Sequence, residues 1–265
     1  MGILGLATVV AAVEPPSASA SSAIRLQRPS SPKWAAVSIP EPAGSFDGKL
    51  IGATCASPTD CLAVGWGAAT GALLGTLVEQ WNGKAWEPQT SPNPTAAGDT
   101  FPQLNAVSCA TTQHCTAVGT DFTLSNTSNS MVESWNGKAW AVVSSPDVAG
   151  AITNTLSGVA CVTSTFCMAV GDSEPASPDL VTLAEQWNGS SYAVGDVGLG
   201  SAGESGNTQT YAEVWNGKTW TAMSSPQPAG ATYARLTGIA CAGVLTCVAT
   251  GYTEATPGAA PVAFL

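Results

Sequence analysis

The chain has 265 residues, of which 45% are hydrophobic and only 10% charged, with a formal net charge of −10. Low charge and ample apolar content exclude a disordered chain and fit one large domain or a repeat array. The 8 Lys and Arg residues are scattered, which argues against nucleic-acid binding, because phosphate neutralisation requires basic clusters.

The N-terminal segment resembles a secretory leader. Residues 3–13 form an apolar run that is too short to cross a bilayer, which requires roughly 20 residues. Small residues follow at 17–20 and offer an Ala-x-Ala-like cleavage site. We therefore predict a signal peptide and spacer over residues 1–28 and a secreted, extracellular protein, with a disordered apolar tail as the alternative. No later segment is apolar enough to predict a transmembrane span.

Eight cysteines form four pairs, and each pair has the spacing Cys-x5-Cys. A pair that recurs in every repeat is most simply bonded within its own repeat. A metal site would need closer cysteines or histidine partners, and His114 is the sole histidine in the sequence. We predict four local disulfides and an oxidising compartment; the pairs are Cys55/Cys61, Cys109/Cys115, Cys161/Cys167 and Cys241/Cys247.

The rest of the chain, residues 29–265, is predicted to be a repeat domain. Complete units lie at about 50–92, 104–146 and 156–194, a partial unit at 207–226, and a last unit at 236–265 completed by residues 33–40. The first unit predicts strands at Leu50–Cys55, Cys61–Gly65, Leu74–Trp81 and Lys84–Gln89. Ala-Val-Gly, after the second cysteine, has the small apolar character of a crowded inner strand.

The period of the repeat points to a β-propeller. Successive units are 52 to 54 residues apart, close to the roughly 50 residues of a four-stranded blade. The interval from Trp187 to Trp215 is only 28 residues, which indicates an internal deletion. We predict an all-β fold of four to five small blades, one of them degenerate, with the ring closed by the N-terminal strand 33–40.

A tryptophan hairpin recurs in each unit. It is Glu-Gln-Trp-Asn-Gly-Lys-Ala-Trp at residues 79–86, and Asn-Gly predicts a two-residue type I′ turn. That turn would pair Trp81 with Lys84 and Glu79 with Trp86, and it would group all four side chains as an ion-pair and cation–π cluster. Packing between blades explains the repetition better than a repeated sugar-binding site does. The hairpin residues are Glu79, Trp81, Asn82, Gly83, Trp86, Trp135, Trp140, Trp187, Trp215 and Trp220.

The sequence nominates no catalytic residue, cofactor site or metal site. His114 stands beside Cys115 with no partner base or acid in view, so we interpret it as a surface loop residue. Acidic residues that break the repeat are the better candidates for loop chemistry; they are Asp99, Asp121, Asp172, Glu174 and Asp179.

Cys-x5-Cys-x-Ala-Val-Gly followed by Glu-x-Trp-Asn-Gly-Lys-x-Trp resembles the secreted Trp-Asn-Gly repeat proteins of actinobacteria. This resemblance covers residues 33–265. The chain is more distantly similar to kelch and Asp-box (sialidase-like) propellers. It implies a propeller and little about activity, since the arginine cluster of sialidases has no counterpart. We predict a non-catalytic protein that binds a cell-wall or extracellular glycan or a protein. The alternatives are an extracellular polysaccharide lyase or hydrolase using loop carboxylates, and a degenerate repeat fragment.

Overall fold

The computed structural model describes residues 39, 45–69, 75–94, 100–175, 181–198, 211–215, 220–224, 233–254 and 262–264. They belong to one compact unit, Ile39–Leu265. These residues form strands and turns without a helix, in several sheets, none of which closes on itself. In the described ranges there is accordingly no helix that could span a membrane. The predicted leader and all of the predicted closing strand except Ile39 lie outside them, so ring closure stays a prediction.

The first sheet is an antiparallel meander in the predicted strand order. We call it module 1; its strands are β1 (Ser45–Ser57), β2 (Asp60–Ala69), β3 (Gly75–Trp81) and β4 (Trp86–Gln89).

Two further four-stranded meanders follow, and a single parallel bridge between Ser128 and Thr153 joins them into an eight-stranded sheet. Module 2 consists of β5 (Thr100–Thr111), β6 (His114–Thr123), β7 (Ser128–Trp135) and β8 (Trp140–Val143). Module 3 consists of β9 (Ala151–Thr163), β10 (Phe166–Pro175), β11 (Val181–Trp187) and β12 (Tyr192–Gly198).

The remaining strands form two smaller sheets. A two-stranded hairpin, β13 (Tyr211–Trp215) with β14 (Trp220–Ser224), lies within the predicted partial unit and places Trp215 opposite Trp220. Module 4 has three strands, β15 (Tyr233–Gly243), β16 (Thr246–Glu254) and β17 (Val262–Phe264).

The glycine of each Ala-Val-Gly motif is required by a close backbone approach. A Cβ atom on Gly119 would overlap the carbonyl oxygen of Gln103 on the neighbouring strand. The register between β5 and β6 shifts at this point, so the chain carries a bulge that only glycine accommodates. Gly65 and Gly171 have the same contact in modules 1 and 3.

All four predicted cysteine pairs are disulfide-bonded, each across the first hairpin of its module. Cys55 lies directly opposite Cys61 in the register, and Cys61 in turn faces Trp81 on β3. In modules 1 to 3 the bond therefore fastens the hairpin end that also carries the indoles. The bonds are Cys55–Cys61, Cys109–Cys115, Cys161–Cys167 and Cys241–Cys247.

The Asn-Gly turn differs from the predicted type I′ turn. Trp81 pairs with Trp86, so the loop has four residues and the predicted pairing of Trp81 with Lys84 is wrong. Among the four loop residues only Gly83 has a positive φ, at 89°. The side chain of Asn82 accepts hydrogen bonds from the backbone N–H groups of Lys84 and Ala85, at 2.9 and 3.0 Å. This asparagine-centred turn satisfies the loop without the second positive φ that type I′ needs.

The wider loop also removes the predicted charge cluster. Lys84 is an exposed loop residue, outside the register of β3 and β4. The carboxyl group of Glu79 is buried, and neither of its oxygens has a hydrogen-bond partner among the described residues. The predicted ion pair between Glu79 and Lys84 is therefore wrong.

Consecutive modules pack face to face. We call the side that carries the cysteines, the glutamate and the tryptophans the indole face, and the opposite side the aliphatic face. Leu62, Val64 and Val78, on the aliphatic face of module 1, share one core with Trp135 and Trp140 of module 2. Modules 2 and 3 form a second such core, and modules 3 and 4 a third.

The second cysteine of modules 2, 3 and 4 also belongs to a core between modules, a role that the sequence prediction did not include. The sequence predicts Cys247 only as one half of a local disulfide, but this residue is 1% exposed and lies in the core between modules 3 and 4. It belongs there to the same cluster as Phe166 and Met168 of module 3, and its partner Cys241 packs against that cluster. The predicted disulfide at Cys247 is confirmed, and the residue is also part of the core between modules 3 and 4.

Backbone contacts bring the first strands of neighbouring modules together. A Cβ atom on Gly52 in β1 would lie 2.8 Å from the Cα of Ala106 in β5, and one on Gly158 in β9 would lie 3.1 Å from the Cα of Gly238 in β15. The modules thus form a stack of similar interfaces.

Candidate ligand-binding cleft

A cleft opens between modules 2 and 3 at the end of the strands that carries the disulfides. Its volume is about 200 Å³. Module 2 contributes the start of β6 and the end of β7, while module 3 contributes the tip of its first hairpin and the indole of β11. The lining residues are His114, Cys115, Thr116, Ser134, Thr163, Ser164, Cys167, Trp187 and Gly189.

The cleft exists because two side chains of module 2 are small and polar. On β6 and β7, Thr116 lies opposite Ser134. The same pair of positions holds Leu62 and Gln80 in module 1, and Met168 and Gln186 in module 3. Side chains that project from the aliphatic face toward the next module are therefore shorter in module 2 than in its neighbours.

The indole of Trp187, which pairs with Tyr192 behind it, lines the cleft on module 3. The rings of Trp187 and Tyr192 lie 5.1 Å apart at an interplanar angle of 38°. The indole Nε1 donates to the carbonyl oxygen of Ser164 at 3.2 Å, which fixes the orientation of the ring. Trp187 is partly exposed, whereas the equivalent Trp135 is only 9% exposed. The available surface is an oriented indole ring.

Polar groups lie around this indole. The imidazole of His114 is exposed, and within the described part of the chain neither it nor the Ser134 hydroxyl has a hydrogen-bond partner. Thr116 is buried, with its Oγ1 3.7 Å from the Cys167 sulfur and a long 3.5 Å contact to the Tyr192 hydroxyl. The cleft thus combines an apolar ring face with uncharged donors and acceptors, a composition that suits a small polar ligand.

None of the acidic candidates lines the cleft. Asp121 and Asp172 are buried within β6 and β10 and are 5% and 4% exposed. Glu174 is partly exposed near the end of β10, and Asp99 and Asp179 lie outside the described residues. No cluster of His, Cys, Asp and Glu in the described ranges has the three members that could hold a metal ion.

Buried glutamates link neighbouring modules away from the cleft. The Ser91 hydroxyl, which follows β4, donates to Glu133 of module 2 at 2.6 Å, and Ser145 donates to Glu185 of module 3 at 2.6 Å. We call each pair a serine–glutamate clasp. Burial raises the pKa of both carboxyl groups from 4.5 to about 7, although the serine hydrogen bond acts in the opposite direction. Burial likewise raises the pKa of Glu79 to about 7.

These clasps are extended by a second hydroxyl on the donor side. Thr76 donates to Ser91 at 2.8 Å in module 1, and Ser130 donates to Ser145 at 3.1 Å in module 2. The recurring glutamate of the hairpin is thus a contact between modules.

The sequence interpretation of His114 as a surface loop residue missed its place on the rim of the cleft. His114 is exposed, as expected, but it lies beside Thr116 and across from Trp187. The usable signal was that His114, Thr116 and Ser134 all depart from the residues at their positions in other repeats.

Comparison with known proteins leaves the family open. No family model matches the chain, and no curated protein matches it. Among solved structures, the SapL1 lectin in complex with alpha methyl fucoside is similar at a TM-score of 0.29 and 14% identity, over 83% of this chain and 97% of the lectin chain. A TM-score this low bears on neither the fold nor the function. The resemblance to Trp-Asn-Gly repeat proteins therefore stays a prediction.

Proposed function

We propose that this protein is a secreted, non-catalytic binding protein that holds one ring of an extracellular glycan in the cleft between modules 2 and 3. The observation that supports it is the oriented, partly exposed indole of Trp187 beside the free polar groups of His114 and Ser134. A sugar ring presents an apolar C–H face that packs on an aromatic ring, and hydroxyls at its edge that bond to polar side chains.

The volume and the charge of the cleft limit the kinds of ligand that it can hold. Its volume of about 200 Å³ is below the roughly 300–1,000 Å³ of sites that bury a drug-sized molecule. No Lys, Arg, Asp or Glu lines it, so a neutral ring fits better than a phosphate or an ammonium group. The glycan would enter by a terminal residue or a side branch.

Binding is favoured over catalysis because the lining lacks a carboxylate. Most glycosidases use two carboxyl groups that flank the glycosidic bond, about 5–9.5 Å apart. His114 is the single titratable side chain in the lining, since both cysteines there are disulfide-bonded. Secretion is supported by the four disulfides, since such bonds persist in oxidising compartments.

The test is a titration of the purified chain with neutral methyl glycosides and with cell-wall polysaccharides, followed by tryptophan fluorescence and calorimetry. We expect saturable binding that Trp187→Ala abolishes and His114→Ala weakens. Matched controls are Trp81→Ala, the equivalent position in module 1, and Thr246→Ala, the exposed counterpart of His114 in module 4. Both controls should bind as the wild type does.

Two outcomes would overturn the proposal. One is that no glycan binds, or that Trp187→Ala binds like the wild type while remaining folded by circular dichroism. The other is the release of new sugar ends from a polysaccharide, which would favour the enzyme alternative.

A further inference from the structure

The two ends of the module stack present the two halves of an interface that the chain already forms three times. Inside the stack, the aliphatic face of one module covers the indole face of the next. Module 1 has no module before it in the described residues, and module 4 has none after it. Within the described ranges, the indole face of module 1 and the aliphatic face of module 4 are therefore not covered by another module.

The indole face of module 1 is more open than that of module 2. Trp81 and Trp86 are both partly exposed, whereas Trp135 and Trp140 in module 2 are 9% and 5% exposed. Ala53 is exposed on the same face. Its counterparts Val107 and Val159, opposite the alanine of the Ala-Val-Gly motif, are 6% and 7% exposed.

The aliphatic face of module 4 is open as well. Val248 is 57% exposed, although the residues at its position in modules 1 and 3, Leu62 and Met168, are 3% and 0% exposed. Ala240, directly opposite Val248 in the register, is also exposed. The turn beside them adds Val244 and Leu245, 40% and 58% exposed, where the other modules have polar residues or proline. Together these four side chains form an exposed apolar patch of the kind that marks an interaction site.

A second, independent feature of module 1 points the same way. Glu133 and Glu185 each accept a hydrogen bond from the preceding module, while Glu79, their counterpart, is buried without a partner in the described part of the chain. An unsatisfied buried carboxyl group is costly. Module 1 thus has the same buried glutamate as modules 2 and 3, but within the described residues it lacks the serine donor that a preceding module supplies to them.

We propose that copies of this chain associate head to tail, with the aliphatic face of module 4 of one copy on the indole face of module 1 of the next. A second copy is the occupant that fits because both faces continue an interface that the chain forms internally. Such a contact is heterologous, so every open assembly keeps one free indole face at one end and one free aliphatic face at the other. Assembly therefore continues until a ring closes or a filament grows.

Analytical ultracentrifugation of the full chain over a concentration series tests the proposal. We expect the wild type to shift to dimers and larger species as concentration rises. Val248→Asp and Ala53→Asp, at exposed positions on the two opposite faces, should each abolish this shift. Leu124→Asp is the matched control, because Leu124 is 62% exposed in the β6–β7 turn and lies on neither end of the stack.

Mixing the two variants separates this contact from any symmetric one. Val248→Asp keeps an intact indole face and Ala53→Asp an intact aliphatic face, so each variant alone should remain monomeric and an equimolar mixture should form a heterodimer. A wild type that stays monomeric at every concentration would overturn the proposal, as would closure of the two faces within one chain. Association of either variant alone would also overturn it.

Discussion

The interface between modules 1 and 2 and the interface between modules 2 and 3 have the same backbone but different contents. At the first, Leu62 is buried in the core with Trp135, and the side chain of Gln80 donates to Asp60 at 3.1 Å. At the second, Thr116 and Ser134 occupy the positions of Leu62 and Gln80, and a cleft takes the place of the packed side chains. Two side chains therefore decide whether a given interface is fully packed or contains a cleft.

The largest expected change in stability concerns Trp135, at the first interface, in comparison with Trp187 at the second. Trp135→Ala should lower the free energy of unfolding by about 3–5 kcal/mol, because it empties a closed core. Trp187→Ala should cost clearly less, since that indole is partly exposed beside the cleft. Denaturant unfolding of both variants measures the difference.

The hydrogen bonds of the two indoles make this a matched pair. Trp135 Nε1 donates to the carbonyl oxygen of Thr112 at 3.3 Å and Trp187 Nε1 to that of Ser164 at 3.2 Å, so both variants lose the same bond. Equal destabilisation would mean that the two interfaces are packed alike, and the distinction between core and cleft would fail.

Burial of the two glutamates in the serine–glutamate clasps should make the free energy of unfolding depend on pH equally at both interfaces. The pKa of Glu133 and of Glu185 is raised to about 7 in the fold, above the ordinary 4.5. The folded state therefore binds the proton more tightly, so this contribution is fully present below pH 4.5 and is lost as pH rises through 7. Each glutamate should contribute up to about 3 kcal/mol to the difference in unfolding free energy between the two limits.

Unfolding at about pH 5 and about pH 8 measures this dependence. Glu133→Gln and Glu185→Gln should each reduce it by a similar amount, while Glu87→Gln, at an exposed carboxyl group, should leave it unchanged. An unfolding free energy that rises with pH would contradict the assignment of both clasps. A pH dependence that only one of the two substitutions reduces would contradict it as well.

The sequence predicts each module well because its determinants are local. Cys-x5-Cys fixes the first hairpin, Ala-Val-Gly follows from a bulge that requires glycine, and alternating apolar residues set the strands. The hairpin turn was missed because the asparagine side chain caps the loop, an option that the Asn-Gly pattern does not distinguish from type I′.

The cleft could not be located from the sequence because it depends on the packing of one module on the next. Thr116 and Trp187 are 71 positions apart, and their proximity follows from the way the modules stack. The burial of Cys247 against module 3 was missed for the same reason. What the sequence does contain is a departure from the repeat at His114, Thr116 and Ser134. Read as a set, these substitutions mark the interface at which packing is incomplete.

The smallest effect on stability should come from converting the second interface into the first. Thr116→Leu with Ser134→Gln places the module 1 side chains in the cleft, and its volume of about 200 Å³ gives them room. We expect unfolding free energy to change by no more than about 1 kcal/mol, while glycan binding is lost because the ring face of Trp187 is covered. Thr116→Val with Ser134→Ala is the control that removes the hydroxyls but leaves the cleft open, so it should retain weakened binding. Wild-type affinity in the filled variant would show that the open interface is a packing defect and that the ligand site lies elsewhere.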